Sequence, residues 1–297
     1  MKCHQKRNAA LAVRRSPSMR PWQALTRCTV LATLGAALSP AISRAQPAPE
    51  LLEAFEAKTF TGDSDGTLLY RIMPPAKDAA ASPDGKFPLL LFLHGYGERG
   101  TDNTRQLYHL DPLGDAKWRE RYPAYVVVPQ CPTGKNAEGQ EITWTARLAP
   151  GQPPKLQSEP TPPMALVMQL VDTLLEELPV DRTRVYVSGL SMGGYGTWDL
   201  AARRPEQFAA IAPICGGGDA ASVTRFVDMP TWVFHGDADG TVPPARSREM
   251  VAALRAAGGR PILTEYAGVG HDSWRPALRE QLLWDWMFAQ HRDASGE

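Results

Sequence analysis

Val185-Tyr186-Val187-Ser188-Gly189-Leu190-Ser191-Met192-Gly193-Gly194-Tyr195-Gly196 carries an apolar stretch directly into Gly-x-Ser-x-Gly and then into a helix-forming segment. A chain leaving a strand for a helix this abruptly must turn sharply. Glycines two positions either side of Ser191 let strand and helix approach closely, while the serine hydroxyl stands exposed at the apex. Strand, tight turn and helix in that order are the unit of a parallel sheet with helical crossovers.

The rest of the chain repeats this alternation. Strands are predicted at Leu68–Ile72, Leu89–Leu93, Ala124–Pro129, Arg184–Ser188, Ala210–Ile214, Thr231–Phe234 and Ile262–Tyr266. Several are nearly continuous apolar runs, such as LLLFL and YVVV, as expected when both faces of a sheet are covered. Helices are predicted at Met164–Leu178, ending before Pro179, at Ser247–Ala257, ending in Gly258-Gly259, and from about Pro276 to Phe288. The expected fold class is therefore α/β, a mostly parallel twisted sheet with helices on both faces. Residues 46–297 should form one catalytic domain, and the Pro- and Gly-rich stretch at about 132–163, which lacks periodicity, should be a long excursion from the sheet.

A serine hydroxyl is a weak nucleophile near neutral pH and needs a base within reach, itself oriented by a carboxylate. Both follow in the chain order this fold uses, serine, acid, histidine. Asp239 lies in Phe234-His235-Gly236-Asp237-Ala238-Asp239-Gly240-Thr241-Val242-Pro243, just past a strand, and His271 lies in Gly268-Val269-Gly270-His271-Asp272. Asp237 is the rival carboxylate, with a turn-stabilising role as its alternative. Among the other histidines, His94 and His235 each follow a strand and precede glycine, where they should shape turns or pack beneath the site. His109 and His291 should lie at the surface.

A tetrahedral intermediate needs N–H donors for its oxyanion. His94-Gly95-Tyr96-Gly97 directly follows LLLFL, so the expected donors are the backbone amides of Tyr96 and of Met192. Trp144 and Trp274 are candidate substrate-binding residues, whereas Trp198, at helical spacing beyond the turn, reads as core. Glu98, Arg99 and Asp102 could bind polar substrate groups or pair with one another. No spacing matches a structural zinc site or a phosphate-binding loop, so neither metal nor cofactor is expected.

The motifs LFLHGYGERGTDN, VVVPQCP, GLSMGGYGTWDLA, ICGGGD, FHGDADGTVP and GHDSW, in this order over roughly residues 60–290, resemble the α/β-hydrolase superfamily. The resemblance is to its carboxylesterase, dienelactone-hydrolase-like and prolyl-oligopeptidase-like branch. It implies Ser191 as nucleophile, Asp239 as acid and His271 as base. Dienelactone hydrolases carry cysteine at the turn, and the serine here departs from that pattern. The function implied is hydrolysis of carboxylic esters through an acyl-enzyme. A peptidase or amidase on the same triad and a non-catalytic binding protein of this fold are the alternatives.

The 32 basic and 32 acidic residues balance, yet residues 1–45 hold eight Lys or Arg and no acid, leaving the remainder at a formal net charge of −8. Such a body is a poor partner for nucleic acid; a small-molecule or polymer-ester substrate is expected, and the oligomeric state is left open. A basic stretch ending at Arg27, an apolar run Cys28–Ile42 and then Ser43-Arg44-Ala45, small at both ends, have the layout of a signal peptide cleaved after Ala45. The product should be secreted or periplasmic, without a stable membrane span. The long basic region raises Met19 as an alternative start. Of the two remaining cysteines, Cys131 and Cys215, free buried thiols are favoured over a bridge, because the strands preceding them are not expected to be neighbours.

Overall fold

A computed structural model describes residues 46–63, 65–146 and 152–292. The signal-peptide, cleavage-site and start-site expectations lie outside the described residues. The eight strands form one sheet: β1 (Glu56–Thr61), β2 (Thr67–Met73), β3 (Phe87–Leu93), β4 (Tyr125–Gln130), β5 (Val180–Leu190), β6 (Ala210–Ile214), β7 (Trp232–Gly236) and β8 (Ile262–Tyr266). Their order is β1-β2-β4-β3-β5-β6-β7-β8, with β1–β2 and β2–β4 antiparallel and every later pairing parallel. The fold is that of an α/β hydrolase, as expected.

Alternation along β3 explains its unbroken apolar run. Leu89, Leu91 and Leu93 enter one core with Met164, Val167, Trp198 and Met250, from α4 (Pro162–Glu177), α5 (Met192–Arg203) and α6 (Ala245–Ala256). Leu90 and Phe92 enter the opposite core with residues of α1 (Pro49–Ala54), α2 (Asp111–Gly114), α3 (Ala116–Arg121), α7 (Trp274–Ala277) and α8 (Gln281–Phe288). Both faces are covered, so neither parity of the strand can be polar. β1 escaped prediction because it is an edge strand in which only Phe60 is even half-buried. The predicted final helix is two helices: the buried Trp284 Nε1–H takes the Leu278 carbonyl at 3.0 Å, withdrawing it from any continuing helix. Among the described residues, no helix is long and apolar enough to cross a membrane.

Candidate active site

β5 ends at Leu190 and α5 begins at Met192, leaving Ser191 alone to make the turn. Its backbone sits at φ 52° and ψ −114°, a conformation that an L-residue holds only when its surroundings impose it. They do so here: the Ser191 amide donates to the Ile214 carbonyl on β6 at 2.9 Å, and a Cβ on Gly193 would overlap the Leu93 carbonyl on β3. The α5 N-terminus is thus drawn down onto the sheet.

The neighbouring strands bring the other two groups. His271 Nε2 lies 2.9 Å from Ser191 Oγ, and its Nδ1 lies 2.8 Å from Asp239 Oδ2. Asp239 Oδ1 accepts the Thr241 and Val242 amides at 2.8 and 2.9 Å. Burial acts to raise the Asp239 carboxyl, but the His271 hydrogen bond and the Val242 and Thr241 amides outweigh it and hold the group below its ordinary value. The loop after β7 and the loop after β8 are laced together, Asp237 N donating to the Tyr266 carbonyl and Ala238 N to the Val269 carbonyl, each at 3.1 Å. Gly236 permits this, since a Cβ there would overlap the Val269 and Gly270 carbonyls. Asp237 accepts the Gly268 amide at 2.6 Å and so pins the turn, while Asp239 faces His271.

Ser191 opens into a cavity of about 530 Å³ lined also by Tyr96, Met192, Tyr195, Trp198, Leu156 and Arg246. Both expected oxyanion donors thus border the same space as the serine. Met192 is the first residue of α5, where amides have no intrahelical acceptor.

Trp144 must be corrected. It is wholly buried in the core and does not line the cavity; its Nε1–H donates to the His94 carbonyl at 3.0 Å and its ring packs edge-on against the His94 imidazole. Trp274 also lies off the cavity lining, its ring perpendicular to that of His271 with centroids 5.3 Å apart. His109, expected at the surface, is half-buried beside Trp274, with Nε2 3.4 Å from Glu98. His94 packs beneath the loop as expected, Nε2 accepting the Cys131 amide at 2.9 Å, and burial pushes its imidazole down to about 4.

Arg99 does not line the cavity. It bonds Glu141 at 3.1 Å and the Ile142 carbonyl at 2.7 Å while its guanidinium lies over the Tyr96 ring, tying the 132–163 excursion to the Tyr96 loop. Asp102 caps the Thr104 and Arg105 amides. Sequence reasoning missed the wall contributed by the excursion itself. Leu156 N donates to Asp219 Oδ2 at 3.0 Å, Arg246 to the Gln152 carbonyl at 3.0 Å and Arg203 to the Gln157 carbonyl at 2.9 Å. The Pro- and Gly-rich composition marked a loop, but nothing in it marked where the loop is fastened.

Cys131 and Cys215 are free and buried, their thiols each pushed up to about 12 by burial. Cys215, Asp239 and His271 bring three ligand-type atoms within 4.8 Å of one another, although the histidine and the acid are already bonded together.

A family model described as "Putative esterase" matches residues 69–283. A poly(3-hydroxyalkanoate) depolymerase C from Paucimonas lemoignei is 28% identical over 221 residues, 64% of this chain and 48% of the relative. A crystal structure of a thermostable esterase is similar with TM-score 0.71 and 37% identity, over 82% of this chain and 64% of that one. A puromycin-hydrolysing peptidase of Mycobacterium tuberculosis superposes with TM-score 0.58 at 16% identity, over 82% of this chain and 41% of that one, a likeness of fold alone. The chain spans about half the length of the curated relatives it matches.

Proposed function

This chain belongs to the esterase family whose model covers residues 69–283, and on that premise we propose that it is a serine hydrolase cleaving carboxylic esters through an acyl-enzyme. The observation that carries this reading is the continuous hydrogen-bond line Ser191–His271–Asp239 at the mouth of a cavity. Ser191 Oγ attacks the ester carbonyl carbon as its proton passes to His271 Nε2, and the oxyanion forms beside the Met192 and Tyr96 amides. Collapse breaks the bond to the alkoxy group, which leaves as an alcohol with the proton from His271. Water then attacks the acyl carbon, giving its proton to His271, and the acid departs as Ser191 recovers its proton. Asp239 keeps the imidazole in the tautomer that presents Nε2 to the serine.

The substrate class proposed is a small-molecule or polymer ester. Support comes from an open cavity with an apolar floor of Met192, Trp198 and Val242, and from a relative named as a polyester depolymerase. The layout of residues 1–45 supports action outside the cytoplasm, and N-terminal sequencing of exported protein should begin near Gln46. Two measurements test the reading. A fluorophosphonate probe should label the folded protein at Ser191, and Ser191→Ala should lose roughly three or more orders of magnitude in kcat on an activated ester. Retained activity in that variant would falsify the assignment.

A further inference from the structure

His235, next to last in β7 and wholly buried, has no part in the mechanism above, yet its ring reaches the acid. Its Nε2 lies 2.9 Å from the Val242 carbonyl and 3.2 Å from Asp239 Oδ2, and its Nδ1 lies 2.7 Å from Ser247 Oγ on α6. The Ser247 hydroxyl also lies 3.0 Å from the Gly216 carbonyl, in the segment leaving β6. A carbonyl and a carboxylate are both proton acceptors, so the nitrogen facing them carries a proton. The opposite nitrogen lies 2.7 Å from Ser247 Oγ, whose own proton goes to the Gly216 carbonyl.

We infer that His235 is a positioning residue for the hydrolytic reaction, sharing Nε2–H between the Val242 carbonyl at 2.9 Å and, at 3.2 Å, the same Asp239 oxygen that receives Nδ1–H from His271. The inference rests on the reading of Asp239 as the acid of the site. The two amides at Oδ1 fix one end of the carboxylate, and the second imidazole fixes the other. Oδ2 is thereby held in line with His271 whether the base is neutral or protonated. A second donor on that oxygen also lowers its affinity for a proton, so the proton taken from Ser191 remains on His271 and is available for the leaving alcohol. Among the described residues, the groups bonded to or facing the His235 ring are Ser247 from α6, the Val242 carbonyl from the acid loop and Asp239, and the last of these alone is ionisable.

The test compares His235→Phe, which removes the donor, with His235→Gln, whose amide can replace it. Kinetics on a soluble activated ester are normalised to the sites titrated by fluorophosphonate. For His235→Phe, kcat should fall about ten- to a hundredfold, the effect of one hydrogen bond to a charged group, with KM changed less than about twofold. The acidic limb of its kcat/KM profile should move to higher pH, because Oδ2 then carries more charge against the base. His235→Gln should recover most of the rate. A merely structural histidine would lower the titratable fraction and leave the limb in place. Equal losses in both variants, or a His235→Phe enzyme within about twofold of the parent, would overturn the inference.

Should His235→Phe fail to fold, nitrogen NMR of the unaltered protein decides: a proton on Nε2 of His235 supports the inference and an Nε2 without one overturns it. Absence of fluorophosphonate labelling in the parent protein would instead sink the Ser191 reading, and the tautomer measurement is independent of it.

Discussion

The Trp144 indole donates its Nε1–H to the backbone carbonyl of His94 across 3.0 Å in the buried core, so the loop bearing Tyr96 hangs from a side chain in the 132–163 excursion. Trp144→Phe keeps most of the packing but leaves that carbonyl without its donor. The variant should be less stable by about 1–3 kcal/mol, the cost of a buried polar group left unpaired. Urea unfolding followed by circular dichroism measures this; a midpoint equal to that of the parent would remove the bond from the account.

His94 should make the fold acid-sensitive. In the unfolded chain its imidazole takes up a proton near its ordinary value of 6.5, whereas burial delays uptake in the folded protein to about 4. The unfolded state therefore binds the extra proton first, and stability present above pH 6.5 is lost as pH falls toward 4, by roughly 3 kcal/mol at most. In His94→Gln, which retains an acceptor for the Cys131 amide, the same pH series of thermal melts should be flatter by that amount.

The strain at Ser191 predicts opposite movements of stability and activity. At φ 52° glycine carries no Cβ penalty, so Ser191→Gly should melt at a temperature equal to or above the parent's, a gain of about 1 kcal/mol, while losing ester hydrolysis. Gly193→Ala should do the reverse of relieving strain, since its Cβ meets backbone rather than a flexible side chain. Little soluble folded protein is expected from it. Calorimetry of the purified variants decides both.

Arg203 forks onto the excursion, Nη2 to the Gln157 and Glu159 carbonyls at 2.9 and 3.3 Å, while Asp199 holds its Nε. Arg203→Lys preserves a positive charge for Asp199 and gives up the planar fork. KM should rise severalfold for long acyl esters that touch the Leu156 wall and stay within about twofold for acetate esters. A uniform change across both would show that the clamp does not shape the cavity.

What could be read from sequence divides along a physical line. β3, β4, the second half of β5, β6 and β7 were legible because strands covered on both faces leave unbroken apolar runs, and β1 was not because an edge strand with one half-buried phenylalanine leaves none. Ser191, Asp239 and His271 stand out because sharp turns after strands demand glycine around them, so their chemistry comes with local spelling. Trp144 and His109 were misplaced because a residue in an aperiodic segment carries no phase to say which way it faces. The contact of His235 with Asp239 escaped for another reason. Four residues apart at a strand's end, the two meet only because the loop folds back through the Val242 amide. The break between α7 and α8 coincides with one indole hydrogen bond that no periodicity records.

The two free thiols have a further consequence. Cys131 follows β4 and Cys215 follows β6, both fully buried, and protonation is favoured until far above neutral pH. A thiol reagent in neutral buffer therefore meets neither until its surroundings open. Among the described residues the protein thus carries two internal clocks, one beside the antiparallel flank of the sheet and one beside the Ser191 turn. Their separate labelling rates would time how each region breathes.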